Sequence, residues 1–172
     1  MSRSGYVDGD DDQWASIRYR GAVKSAIRGR RGQAFLREML AALDAMPEKR
    51  LIAGDLVFDG RPDCWWMPRP ADDVIVGGDV LVMGSGEAVM LGEVCALGCL
   101  GKVRGLDMHD VDAYDPPTVA GAFGIAEALA REIVWVNDEG WYGPETPEMR
   151  WHRVRVWILD HLVDRNVVVG GH

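Results

Sequence analysis

Arg20, Lys24 and Arg28 stand four residues apart, and Arg30 and Arg31 lie just beyond them. At helical spacing, residues four apart share one face. Three cations on one face can grip a carboxylate or phosphate of a partner. The plainer reading is a solvated helix exterior, or a face packed beside the chain's own acidic middle. The second candidate chemistry is aromatic, since the 172 residues include seven tryptophans. Trp65-Trp66 lie beside prolines in a segment that reads as β-like, and one of two strand neighbours must face outward. Trp141-Tyr142 lie in a Gly/Pro loop. Outward Trp and Tyr are preferred interface anchors; the competing reading is that a small β element needs them for its own core. The candidate binding residues are therefore Trp65, Trp66, Trp141, Tyr142, Arg20, Lys24 and Arg28. No catalytic residue and no metal ligand is assigned, and no cofactor is implied.

Other constellations are weaker. Asp138 and Glu139 precede Trp141 and Tyr142, an order that suits a small hydrolytic or nucleotide- or sugar-binding enzyme, although Asn137-Asp138 also reads as a helix exit. Cys95 and Cys99 are four apart, but structural zinc needs a second close ligand pair, and Val94-Cys95-Ala96-Leu97 reads as core. Thr118 to Ala126 has the small-residue spacing of a helix-turn-helix corner. Its reading face would carry Glu127, Arg131 and Glu132, and carboxylates there repel DNA. Gly84-Ser85-Gly86 lacks the Lys-Ser/Thr of a phosphate loop and reads as a hairpin turn. His152 and His161 fall on different faces of one helix.

Composition narrows the classes further. Hydrophobic residues make up 48% and charged residues 27%, ordinary for a globular chain. The net charge of −8 argues against broad, nonspecific nucleic-acid binding. No apolar run is long enough to span a membrane, and the start has no secretory apolar segment. Three cysteines cannot all pair within the chain. The expectation is one cytoplasmic domain over residues 1–172. Charge is uneven: residues 1–50 carry ten basic and seven acidic side chains, whereas 51–115 carry four and twelve. A locally basic amino-terminal part thus sits on an acidic protein.

The elements that must position these residues follow from periodicity. Residues 13–28 read as a first helix, broken by Gly29-Arg30-Arg31-Gly32. Phe35, Leu36, Met39, Leu40, Leu43 and Met46 form an apolar stripe, predicting a helix from Gln33 to Met46 that Pro47 ends. Residues 48–92 lose the helical period, and short β-like runs flank Gly77-Gly78 and Gly84-Ser85-Gly86-Glu87. Helical patterns return over 93–104, 116–122 and 125–137, and a last helix opens at Thr146-Pro147-Glu148 and runs to about Val163. Asp115 before Pro116 is a capping signature. The expected class is α+β, mainly helical: about five helices around one core with a small antiparallel β-hairpin insertion over 57–91.

Several stretches together resemble a group of small uncharacterised phage and prophage proteins. They are Arg20 to Gln33 (RGAVKSAIRGRRGQ), Met46 to Ile52 (MPEKRLI), Glu93 to Gly98 (EVCALG), Phe123 to Ala130 (FGIAEALA) and Asn137-Asp138-Glu139. The resemblance covers residues 12–56 and 92–163, and 57–91 reads as inserted. The group brings no activity with it. It implies a phage accessory protein, in the cytoplasm of a bacterial host, that binds a host or phage protein. Inhibition of a bacterial defence complex, as by an anti-CRISPR protein, is the specific form, with an acidic surface imitating nucleic acid. The reading leans away from an enzyme, expects no membrane association and little DNA binding, and leaves a homodimer open. A helix-turn-helix-like regulator is a further alternative.

Overall fold

The computed structural model describes residues 13–58, 74–76, 80–82, 88–108, 111–140 and 143–163. Six helices carry the described fold: α1 Gln13–Arg28, α2 Arg30–Ala45, α3 Ala96–Arg104, α4 Pro116–Phe123, α5 Glu127–Asp138 and α6 Pro147–His161. α5 packs on α1, α3, α4 and α6, while α2 packs on α1, α3 and α6. The core lies between these two hubs. α2 supplies Phe35, Leu36, Met39, Ala42 and Leu43, α5 supplies Leu129, Ile133 and Val136, and α6 supplies Val154 and Ile158. Phe35 meets Phe123 of α4 edge to face at 6.2 Å.

The expected α+β class is corrected to a helical one. Three-residue backbone stretches pair in the order Val74–Val76, Val80–Val82, Ala88–Met90, each antiparallel to its neighbour. The described core is built mainly by the six helices, so the class is helical and not the expected α+β with a β-hairpin insertion. The apolar non-helical mass that enters the core is instead the segment 51–58, with Leu51, Ile52, Leu56 and Phe58 buried. Its backbone is held by bonds from Ile52 N–H to the Val94 carbonyl, Phe58 N–H to that of Glu93, and Cys95 N–H to that of Leu56. α3 approaches this segment so closely that a Cβ on Gly98 would run into the Leu56 carbonyl.

Helix boundaries also shift from expectation. The break between the first two helices is Gly29 alone, and α2 begins at Arg30. Gly32 stays inside α2 because a Cβ there would meet the backbone of Ala26. Cys95 is the N-cap of α3 rather than part of it, its sulfur accepting from Gly98 N–H. Asp115 precedes α4, but its carboxylate takes the Thr118 hydroxyl instead of capping a backbone N–H. Gly105 and Gly124 end α3 and α4 in the left-handed region, at φ 65° and 67°. Thr146 caps α6 by accepting from Met149 N–H at 3.2 Å. Among the described residues no helix is long and apolar enough to cross a membrane.

A cationic cleft as candidate functional site

A cleft of about 460 Å³ lies between α1 and the end of α6. The sequence of α1 builds one wall. Val23 and Ile27, four apart, are buried and form the apolar floor. Arg20, Lys24 and Arg28 are exposed and stand along its edge. Across the cleft lie Asp160, His161, Leu162 and Val163, and α5 adds the buried Glu132. The site thus has an apolar base, a positive wall and a wall bearing carboxylates.

Gln33 holds the two walls together. Its side-chain amide donates to the Ile27 carbonyl and to the His161 carbonyl, each at 2.9 Å. Its side-chain oxygen accepts from Val163 N–H at 2.8 Å. One buried amide therefore ties the end of α1 to the end of α6. Arg37, one turn further along α2, donates to the Val163 carbonyl at 2.9 Å. His161 is itself fixed, its Nδ1 2.7 Å from the Trp157 carbonyl and its ring 4.6 Å from the Trp157 ring.

The cations of the cleft differ from the arginines further along the chain than Arg31. Arg104 pairs with Glu38 and lies over Phe35, while Arg155 pairs with Asp44. Arg153 holds Glu145 through two nitrogens at 2.6 and 2.8 Å, and Arg150 meets the same carboxylate at 3.2 Å. Arg50 bridges Glu93 and Glu148, and Arg131 pairs with Glu127. Those pairs hold Glu38 and Asp44 below the usual carboxylate range, through the hydrogen bond that each guanidinium donates. Arg20, Lys24, Arg28, Arg30 and Arg31, in contrast, make no hydrogen bond or ion pair among the described residues. Like charges four apart on a helix cost about 0.2–0.5 kcal/mol per pair.

Of the predicted binding residues, Arg20, Lys24 and Arg28 are brought to this one cleft. Trp65, Trp66, Trp141 and Tyr142 lie outside the described residues. Gln33 was not singled out from the sequence. Its one visible signal is an amide at the head of an otherwise apolar stripe.

The rival constellations are placed as follows. The Asp138 carboxylate accepts from the Asn137 side chain at 2.6 Å and also from Gly54 N–H and the Tyr114 hydroxyl. Burial pushes its carboxyl above the ordinary range. The cavity beside it is about 10 Å³, room for roughly one water. Asn137 is structural: its oxygen accepts from Ala96 N–H at 3.1 Å and its amide donates to the Ile52 carbonyl at 2.8 Å. Cys95 and Cys99 are free and buried, and burial pushes the Cys95 thiol up to about 12. Among the described residues no group of His, Cys, Asp and Glu could hold a metal ion. The α4–α5 corner turns at Gly124 as its spacing suggests, but α5 is enclosed by four helices, and its outer end carries the Glu127–Arg131 pair at 2.6 Å.

No family model matches the chain, and neither a curated protein nor a solved structure matches it.

Proposed function

We propose that this chain is a phage-encoded accessory protein that acts by binding another protein, and that its specific role is to inhibit a bacterial defence complex in the manner of an anti-CRISPR protein. The observation that carries the binding reading is the set of exposed cations along an apolar-floored cleft that make no hydrogen bond or ion pair among the described residues. Charged side chains that serve the fold find partners within it, as Arg104, Arg153 and Arg155 do. Cations that the fold leaves unmatched, beside apolar surface, suit an interface whose other half is a separate molecule. The phage context and the defence target rest on the resemblance of Arg20 to Gln33 and the further stretches quoted with it. The net charge of −8 adds a means: acidic surface outside the cleft can compete for a basic groove of a nucleic-acid-handling complex.

The test is phage plating on bacteria that carry an active CRISPR–Cas system. Cells producing this protein should plate a targeted phage at least about tenfold better than cells without it. Unchanged plating across the CRISPR–Cas types tried would overturn the inhibitor role. Turnover of a small molecule by the purified protein would overturn the binding reading itself.

A further inference from the structure

We infer that the cleft between α1 and the end of α6 is a docking groove for an amphipathic acidic polypeptide segment, one that seats an aliphatic side chain on Val23 and Ile27 and sets carboxylates against Arg20, Lys24 and Arg28. The inference rests on the protein-binding reading and names the chemistry of the partner.

The apolar floor is the first argument. Val23 and Ile27 close the floor, and the half-buried Leu162 and exposed Val163 add apolar surface on the far side. A purely ionic ligand would leave that floor unused. The cavity, at about 460 Å³, has room for more than one side chain.

The sign of the two walls is the second argument. α1 presents three cations, whereas the opposite wall presents the exposed Asp160. A phosphate backbone is negative along its whole length and would meet that carboxylate. A polypeptide can place carboxylates on one flank and backbone N–H groups or a basic side chain on the other. Charge complementarity therefore selects a two-sided peptide over a nucleic acid.

Rigidity is the third argument. Gln33 fixes both walls through three bonds of 2.8–2.9 Å, so the groove is preformed and a ligand has little of it to order.

The experiment is an amide-resolved NMR titration of the full chain. The probe is a synthetic helical peptide with Leu on one face and Glu beside it. An all-Glu peptide, inorganic phosphate and duplex DNA serve as comparisons. The expected result is saturable shifts at Val23, Ile27, Leu162 and Val163, with affinity about tenfold above the all-Glu peptide and weakened by added salt. A variant carrying Arg20→Glu, Lys24→Glu and Arg28→Glu should lose at least about tenfold. Shifts at other surfaces, equal binding by DNA or phosphate, or indifference to charge reversal would overturn the inference. Plating protection that survives the same charge reversal would overturn it while leaving the proposed function standing. Peptide binding without plating protection would do the opposite.

Discussion

Asp138 is where a single side chain sets a measurable pH response. Its carboxyl is buried at the end of α5 and its pKa is raised, so the folded protein holds that proton more tightly than the unfolded chain. Between the ordinary carboxylate value and the raised one, the unfolded state binds fewer protons, and stability falls as pH rises through that window. Asp138→Asn removes the titration. The variant's melting temperature relative to wild type should therefore be higher at neutral pH than near pH ~4, the ordinary Asp range. A difference that does not change with pH would contradict the assignment. The thiols give a second residue-scale test. Cys95 is buried, caps α3, and is pushed up to about 12, so it is not a thiolate at neutral pH. Alkylation mapped by mass spectrometry should label Cys95 only when the protein unfolds; rapid native labelling would contradict this. The apolar character of Val94-Cys95-Ala96-Leu97 made the burial legible in the sequence. The capping role was not legible, because it depends on where α3 starts.

Close approach between elements decides what the helices tolerate. Gly98 lies against the Leu56 carbonyl, so Gly98→Ala should destabilise the fold by about 1–3 kcal/mol despite alanine's better helix propensity. Gly121 on α4 has open space around it, and Gly121→Ala should instead stabilise by about 0.5–1 kcal/mol. Urea unfolding of the two variants checks both signs. Gln33→Leu removes the bonds joining α1, α2 and the end of α6. It should cost about 1–3 kcal/mol and speed amide exchange at Val163. Unchanged exchange would show that something else fixes the cleft. Much of this level was visible as pattern. The span 13–28 and the α2 stripe Phe35, Leu36, Met39, Leu43 follow from the 3.6-residue period. The path of 51–58 was not visible, because its burial comes from backbone pairing with residues 93–95. The role of Gln33 was hidden for the same reason, since its partners lie 128 and 130 residues away. The α+β expectation gave way to a helical class because the six helices supply most of the described core, whereas alternation and glycine turns report only local tendency.

Across the whole molecule, charge is divided by task. The arginines of the later helices neutralise carboxylates and hold the helices to one another, as Arg104 does with Glu38 and Arg155 with Asp44. Arg20, Arg28, Arg30 and Arg31 are exposed and make no such pair among the described residues, although the molecule as a whole carries −8. The basic stripe was readable from spacing alone; its convergence with the end of α6 on one cleft was not, because that needs the bundle closed. Replacing Arg20, Lys24 and Arg28 should leave the fold nearly untouched, within about ±0.5 kcal/mol per site, since each is exposed. The central claim is that these three side chains are kept for a partner and not for the fold. The most direct measurement is quantitative capture from bacterial host lysate, comparing wild type with the Arg20→Glu, Lys24→Glu, Arg28→Glu variant at matched melting temperature, with the captured protein identified by mass spectrometry. The account predicts one dominant partner that carries an exposed acidic, aliphatic segment and is lost from the variant. Undiminished capture of that same partner by the variant would contradict it.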